Sequence, residues 1–264
     1  MTSGRPVRRS LDPAEVRHVR EQFGVADEQV LRDHTVSHVL AALSTTDLVD
    51  DLVFIGGTAL SRTFLPHLRL SEDIDLITSA PRRDVGRRIE SAVAAGLRRT
   101  HGSVAWVPAL ADTRGADSSV LVVGDSIHIR VQLLGATGYP RWPVELRCLE
   151  QRYSDAPAAS LVVPTAPAFA GWKTATWLDR SAPRDLYDLW GLGRAGWITS
   201  EAALLFRTHG PTAGDVRPWM FSHPPTEDEW LAALTHQGRV KVSAAVALDE
   251  VADHWACAVS SPND

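Results

Sequence analysis

The feature that most limits the fold is a short apolar run, Leu52-Val-Phe-Ile55, ending on Gly56-Gly57-Thr58 and followed 16 residues after Gly57 by Asp73-Ile-Asp75-Leu-Ile77. A continuous apolar run of that length reads as a buried strand. The two glycines let the backbone turn tightly and approach a ligand without a Cβ in the way. From Thr58 to Leu65 the pattern is helical, and Pro66 stops it. The free amides and positive end of that helix then face whatever sits above the glycines, an arrangement that suits a phosphate. Asp73 and Asp75, at i and i+2 of a strand-like segment, project from the same face. Carboxylates so close repel unless a cation lies between them, and hard oxygen ligands select Mg²⁺. Either half of the pattern is common alone, as a turn or as surface acid. Together they predict in-line phosphoryl or nucleotidyl transfer, with the metal polarising the attacked phosphate.

Periodicity places helices from Asp12 (N-cap, with Pro13), over 27–44 and over 82–99, and short β segments at 104–107, 120–123, 127–134 and 144–149. Residues 1–10 read as a disordered basic arm. A Pro- and Ala-rich stretch from Asp155 to Pro167 marks a change of composition. Beyond it the pattern is helical, and seven of the nine tryptophans follow position 170, which suggests indole packing between helices. The expected division is an α/β unit over 1–155 and a helical domain over 156–264.

Composition narrows the function classes. A net charge of −5 argues against indiscriminate, charge-driven nucleic-acid binding. No apolar run is long enough to span a bilayer, and the N-terminus lacks a hydrophobic stretch after its basic residues. Cys148 and Cys257 show no metal or disulfide spacing, so a cytoplasmic protein with no membrane association is expected. Of 27 basic residues only Lys173 and Lys241 are lysines, so a surviving lysine hints at a required compact ammonium. Lys173 and Arg180 lie seven apart on one helix face, and Asp185 and Asp188 share a face of the next helix.

The blocks Gly56-Gly-Thr-Ala-Leu60, Arg69-Leu-Ser-Glu-Asp-Ile-Asp-Leu76 and Lys173…Arg180 leading to Arg184-Asp185…Asp188-Leu-Trp190 occur in the order seen in a known family. Over residues 52–192 the chain resembles the AbiEii/AbiGii-type nucleotidyltransferase toxins, which include the mycobacterial MenT toxins, within the DNA polymerase β-like superfamily. The resemblance implies an α+β fold: a polymerase β-like core with a mixed sheet flanked by helices over 1–155, plus a C-terminal helical domain. It implies an Mg²⁺-dependent toxin of a toxin–antitoxin pair that moves nucleotides from NTP to RNA, the tRNA 3′ end, and so blocks translation. A cognate antitoxin is the implied protein partner. Gly56, Gly57, Thr58 and Ser71 would then belong to the nucleotide site and Asp73 and Asp75 to the metal. Lys173 would contact the triphosphate, with Asp185 or Asp188 catalytic or orienting it. Ser71 would be the position where phosphorylation silences the enzyme.

One departure stands out. Such enzymes commonly carry a third carboxylate on the strand beside the D-x-D strand, where this chain offers Gln132, with Glu145 in the next strand as a substitute. Arg83, Arg87 and Arg98 fall on one stripe of the 82–99 helix, either as a solvated face or as a phosphate track for RNA leading to the cleft. His34 and His38, at i and i+4, have the spacing to share a metal, but no Glu accompanies them. Alternatives kept open are an acceptor that is a protein or small molecule, and a degenerate transferase fold acting as a binding module.

Overall fold

The computed structural model describes residues 11–212 and 214–260; the arm expected over 1–10 lies outside them. Two N-terminal helices, α1 (Pro13–Phe23) and α2 (Asp27–Ser44), open the chain. Asp12 caps α1 by accepting from the Ala14 amide at 2.8 Å, and Gly24 closes it in the left-handed conformation (φ 72°). Then come β1 (Leu52–Ile55), α3 (Gly56–Arg62), β2 (Ile74–Thr78) and α4 (Arg82–Leu97). Helix α3 begins on the glycines, two residues earlier than the pattern suggested, and ends at Arg62.

Strands β3 (Val104–Val107), β4 (Ser118–Val123), β5 (Ile127–Gly135) and β6 (Val144–Cys148) follow close to their expected places. A further strand, β7 (Ser160–Pro164), lies inside the Pro- and Ala-rich stretch expected to separate two units. Pro157 and Pro167 lie outside the strand and Pro164 closes it, and Leu161 and Val163 are fully buried. The seven strands form one mixed sheet, ordered β3-β4-β5-β2-β1-β7-β6. β1 is antiparallel to β2 and parallel to β7, and β2 is parallel to β5. The sheet therefore crosses position 155, and the main hydrophobic cluster runs from Val36 to Ala258 without a gap there.

The remaining helices are α5 (Ala166–Arg180), α6 (Pro183–Arg194), α7 (Ser200–His209), α8 (Glu227–Leu234) and α9 (Ala244–Ser260). Among the late tryptophans, Trp177, Trp230 and Trp255 are buried between helices, whereas Trp219 is exposed and Trp172 stacks on Trp142. No helix among the described residues is long and apolar enough to cross a membrane.

Alternation along the central strands separates two faces. Phe54, Leu76, Val131 and Leu133 belong to the main core, toward α2 and α4, both of which pack on β5. Val53, Ile55, Ile77 and Leu134 form a separate small cluster with Trp172 of α5. Asp73 and Asp75 lie on this second face.

Candidate active site

In the antiparallel pair of β1 and β2, Ile55 faces Asp75, so the turn at Gly56 sits directly beside the second carboxylate. Gly56 has φ +81°, and a Cβ there would fall 2.5 Å from Asp75 Oδ2. A Cβ on Gly57 would fall 2.6 Å from the Arg69 guanidinium and 3.1 Å from Ser71 Oγ. The glycines are thus required by the side chains packed beneath them as well as by any ligand above. Thr58 is buried, and its hydroxyl donates to the Asp73 carbonyl and pairs with Ser71 Oγ at 2.9 Å, tying α3 to the loop before β2.

Parallel pairing sets Gln132 of β5 opposite Asp75, and Arg130 one alternate position earlier. Gln132 donates its amide to the Ala116 carbonyl, and Arg130 donates to Asp73 Oδ2 at 2.9 Å. Burial pushes the Asp75 carboxyl above its ordinary range; Arg130 opposes that shift and Asp73 adds to it. Asp73 and Asp75 therefore sense one another on one face, with hard oxygen donors and a like-charge conflict that Arg130 meets only in part. This donor set fits Mg²⁺, which takes one or two carboxylates and completes its shell with water and phosphate oxygens. Glu145 cannot join it. β6 is the sheet edge, three strands from β2 and so roughly 14 Å away at the usual spacing, and the pairing of Glu145 with Val163 turns it to the opposite face.

The opposite wall comes from α5 and α6. Lys173 is buried, and its Nζ donates to Asp185 Oδ1 at 2.9 Å and lies 2.7 Å from Asp188 Oδ2. Arg180 donates from Nε to Asp185 Oδ2 at 2.7 Å, and Arg69 grips Asp188 with two bonds of 2.9 and 2.8 Å. Three cations share two carboxylates, leaving one positive charge over. Burial alone would lower the Lys173 pKa, but Asp185 and Asp188 outweigh it and raise it. Burial alone would raise the Asp185 pKa, but Lys173 and Arg180 depress it to about 2. Both groups are charged at neutral pH.

Gly56, Gly57, Asp75, Gln132, Lys173, Arg180 and Asp185, with Tyr139 and Trp172, line one cleft of about 260 Å³. Of the expected site residues, Thr58, Ser71 and Asp188 stand behind this wall, with buried side chains committed to neighbours. Phosphorylation at Ser71 would require its packing against Gly57 and Thr58 of α3 to open, because the residue is only 6% exposed. Arg83, Arg87 and Arg98 are not brought to the cleft. Arg83 pairs with Asp112 and Arg87 with Asp84, and α4 lies on the far face of the sheet. A larger hollow of about 700 Å³ beside Trp177, Pro183 and His223 contains none of these groups, and its one carboxylate, Glu229, caps α8. Arg130 went unassigned in the sequence; its alternation with Gln132 was the available signal. Arg69 lay within a recognised block, but its grip on Asp188, 119 residues away, had no local signature.

A family model described as nucleotidyl transferase AbiEii toxin, type IV toxin–antitoxin system, matches residues 38–255. The fold is similar to that of MenT4, a nucleotidyltransferase toxin from Mycobacterium tuberculosis H37Rv, at 21% identity and a TM-score of 0.64, covering 96% of this chain and 91% of that one. No match was found among curated proteins.

Proposed function

Since the chain belongs to the AbiEii family of nucleotidyl transferase toxins of type IV toxin–antitoxin systems, we propose that its cleft transfers a nucleotidyl group from NTP to an RNA hydroxyl, at the tRNA 3′ end, and so blocks translation in the cytoplasm. The observation that carries this reading is the cleft itself: Asp75 packed on the Gly56 turn shares its walls with Lys173, Arg180 and Asp185. A cognate antitoxin and NTP are the implied partners.

The acceptor hydroxyl gives its proton to solvent as its oxygen attacks the α-phosphorus, the bond to the β-phosphate breaks, and pyrophosphate leaves. Asp73 and Asp75 would hold Mg²⁺, which when bound polarises the attacked phosphate. Lys173 spends two of its three N–H groups on Asp185 and Asp188, which leaves the third for a phosphate oxygen. Arg180 keeps its terminal nitrogens for the same purpose, since only Nε is bonded to Asp185. These donors neutralise charge on the leaving pyrophosphate, the role that preorganised cations play in phosphoryl transfer. Asp185, with its pKa near 2, is too weak a base to take the acceptor's proton at neutral pH and acts by positioning Lys173 and Arg180. Asp188 positions Lys173 from behind. Tyr139 and Trp172 give the nucleobase an aromatic surface on which to stack.

The arginines of α4 lie away from the cleft, so their proposed part is contact with the body of a long RNA rather than with its reacting end. That separation also favours testing a second acceptor class, a protein or small molecule. Purified protein incubated with total tRNA, Mg²⁺ and each labelled NTP in turn, with Asp73→Ala alongside, tests the reading. Label is expected in tRNA from the wild type alone. Equal label with the variant removes the metal assignment, and label in protein or a small molecule instead of tRNA replaces the acceptor.

A further inference from the structure

Away from the cleft, the histidine pair of α2 gains partners that its sequence neighbourhood lacked. His34 and His38 stand on consecutive turns, and the segment between β6 and β7 lays Asp155 against them. His34 Nε2 lies 3.0 and 3.1 Å from the two Asp155 oxygens and 3.2 Å from His38 Nε2. His38 Nε2 is 3.4 Å from Asp155 Oδ2. All three side chains are at most 8% exposed. His101, in the turn after α4, stands beside both rings, with centroids 5.1 Å from His34 and 4.9 Å from His38. Its Nδ1 is bonded to Thr100 Oγ1, which leaves Nε2 as its remaining ligand atom.

Protons cannot satisfy all three edges of this triangle. Each imidazole nitrogen offers one in-plane site, either an N–H or a lone pair. If His34 Nε2 donates to Asp155, it cannot also accept from His38. If both Nε2 atoms carry hydrogen, two N–H groups confront each other across 3.2 Å. If neither does, a lone pair of His34 faces a carboxylate oxygen at 3.0 Å. A cation at the centre removes every conflict, because all three atoms then donate lone pairs. The edge lengths agree: ligands about 2.0–2.1 Å from a tetrahedral ion stand roughly 3.3 Å apart.

We propose that His34, His38 and Asp155 form a binding site for a zinc-class divalent ion. Two imidazoles and one carboxylate suit Zn²⁺ and its first-row neighbours rather than Mg²⁺ or Ca²⁺. The site is structural. It fastens the segment that carries Arg152 and Tyr153 onto α2, where Tyr153 donates to Asp33 Oδ2 and Arg152 to the Ser61 carbonyl at the end of α3. It shares no ligand with the cleft and stands or falls apart from the transferase reading.

Tag-free protein, stripped with a chelator and titrated with Co²⁺, is expected to develop the visible absorption of a tetrahedral cobalt site, which Zn²⁺ then bleaches. Elemental analysis after Zn²⁺ loading should find about one zinc per chain, and Tm should climb with Zn²⁺ concentration. The near-isosteric variants Asp155→Asn and His38→Gln should keep the wild-type circular dichroism yet bind zinc at least about tenfold more weakly. Absence of both the cobalt band and the Tm response in the wild-type chain would overturn the proposal. So would unchanged zinc affinity in both variants.

Discussion

Asp75 illustrates how a single position trades stability for chemistry. Its carboxylate is buried against Gly56, and the cost of that burial shows as a raised pKa. Asp75→Asn keeps the shape and removes the buried charge, so the metal-free protein should melt at a higher temperature while nucleotide incorporation is lost. Scanning calorimetry beside the labelling assay checks both halves. Asp185 shows the opposite balance. Its folded pKa of about 2 lies below the ordinary value of 3.8, so its contribution to stability is complete above about pH 4 and is lost as pH falls toward 2. Integrated over that shift the contribution is roughly 2 kcal/mol. Acid titration of the unfolding midpoint should therefore fall less steeply between pH 4 and 2 in Asp185→Asn than in the wild type. At Gly56, where the backbone is left-handed and a Cβ would strike Asp75, Gly56→Ala should cost about 1–3 kcal/mol of stability as well as activity, as read by denaturant unfolding.

Between elements, further hydrogen bonds that hold α3 come from α2 and from the segment after β6. Arg62 of α3 is fully buried, and burial lowers its pKa to about 10, so it remains a cation at neutral pH. Its charge is met by Asp33 of α2 at 2.7 Å, and Asp33 also accepts from Tyr153 and Arg152. Removing one member of a wholly buried pair strands the other, so Asp33→Ala should destabilise by about 3–5 kcal/mol in urea unfolding. Helix α4 offers a different test. Changing Arg83, Arg87 and Arg98 together to Gln should raise KM for full-length tRNA and flatten its salt dependence, with kcat and KM for NTP unchanged. A short RNA carrying only the acceptor end should not register the change.

At the scale of the whole molecule, β7 sits between β1 and β6 and joins the two halves of the chain. A fragment ending at Asp155 would leave one edge of β1 unpaired and lose the buried Leu161 and Val163. Exposed, apolar strand edges recruit other chains, so the fragment should aggregate or unfold without a cooperative transition, as judged by light scattering and thermal circular dichroism. Most elements were legible in the sequence because their information is local: the 3.6-residue period of α4, the Asp12-Pro13 start of α1, and the alternation in β2 and β5. The glycine turn, the paired acids and the Lys173 and Asp185 helices were equally visible, since each is a short pattern of residue types. β7 was hidden because three apolar residues among prolines and alanines carry no period of their own. Arg130 against Asp73, Arg69 against Asp188 and Asp155 against the histidines were decided only by tertiary structure. Each joins residues 57, 119 or at least 117 positions apart, and such contacts arise from strand order and helix packing rather than from anything neighbouring residues encode.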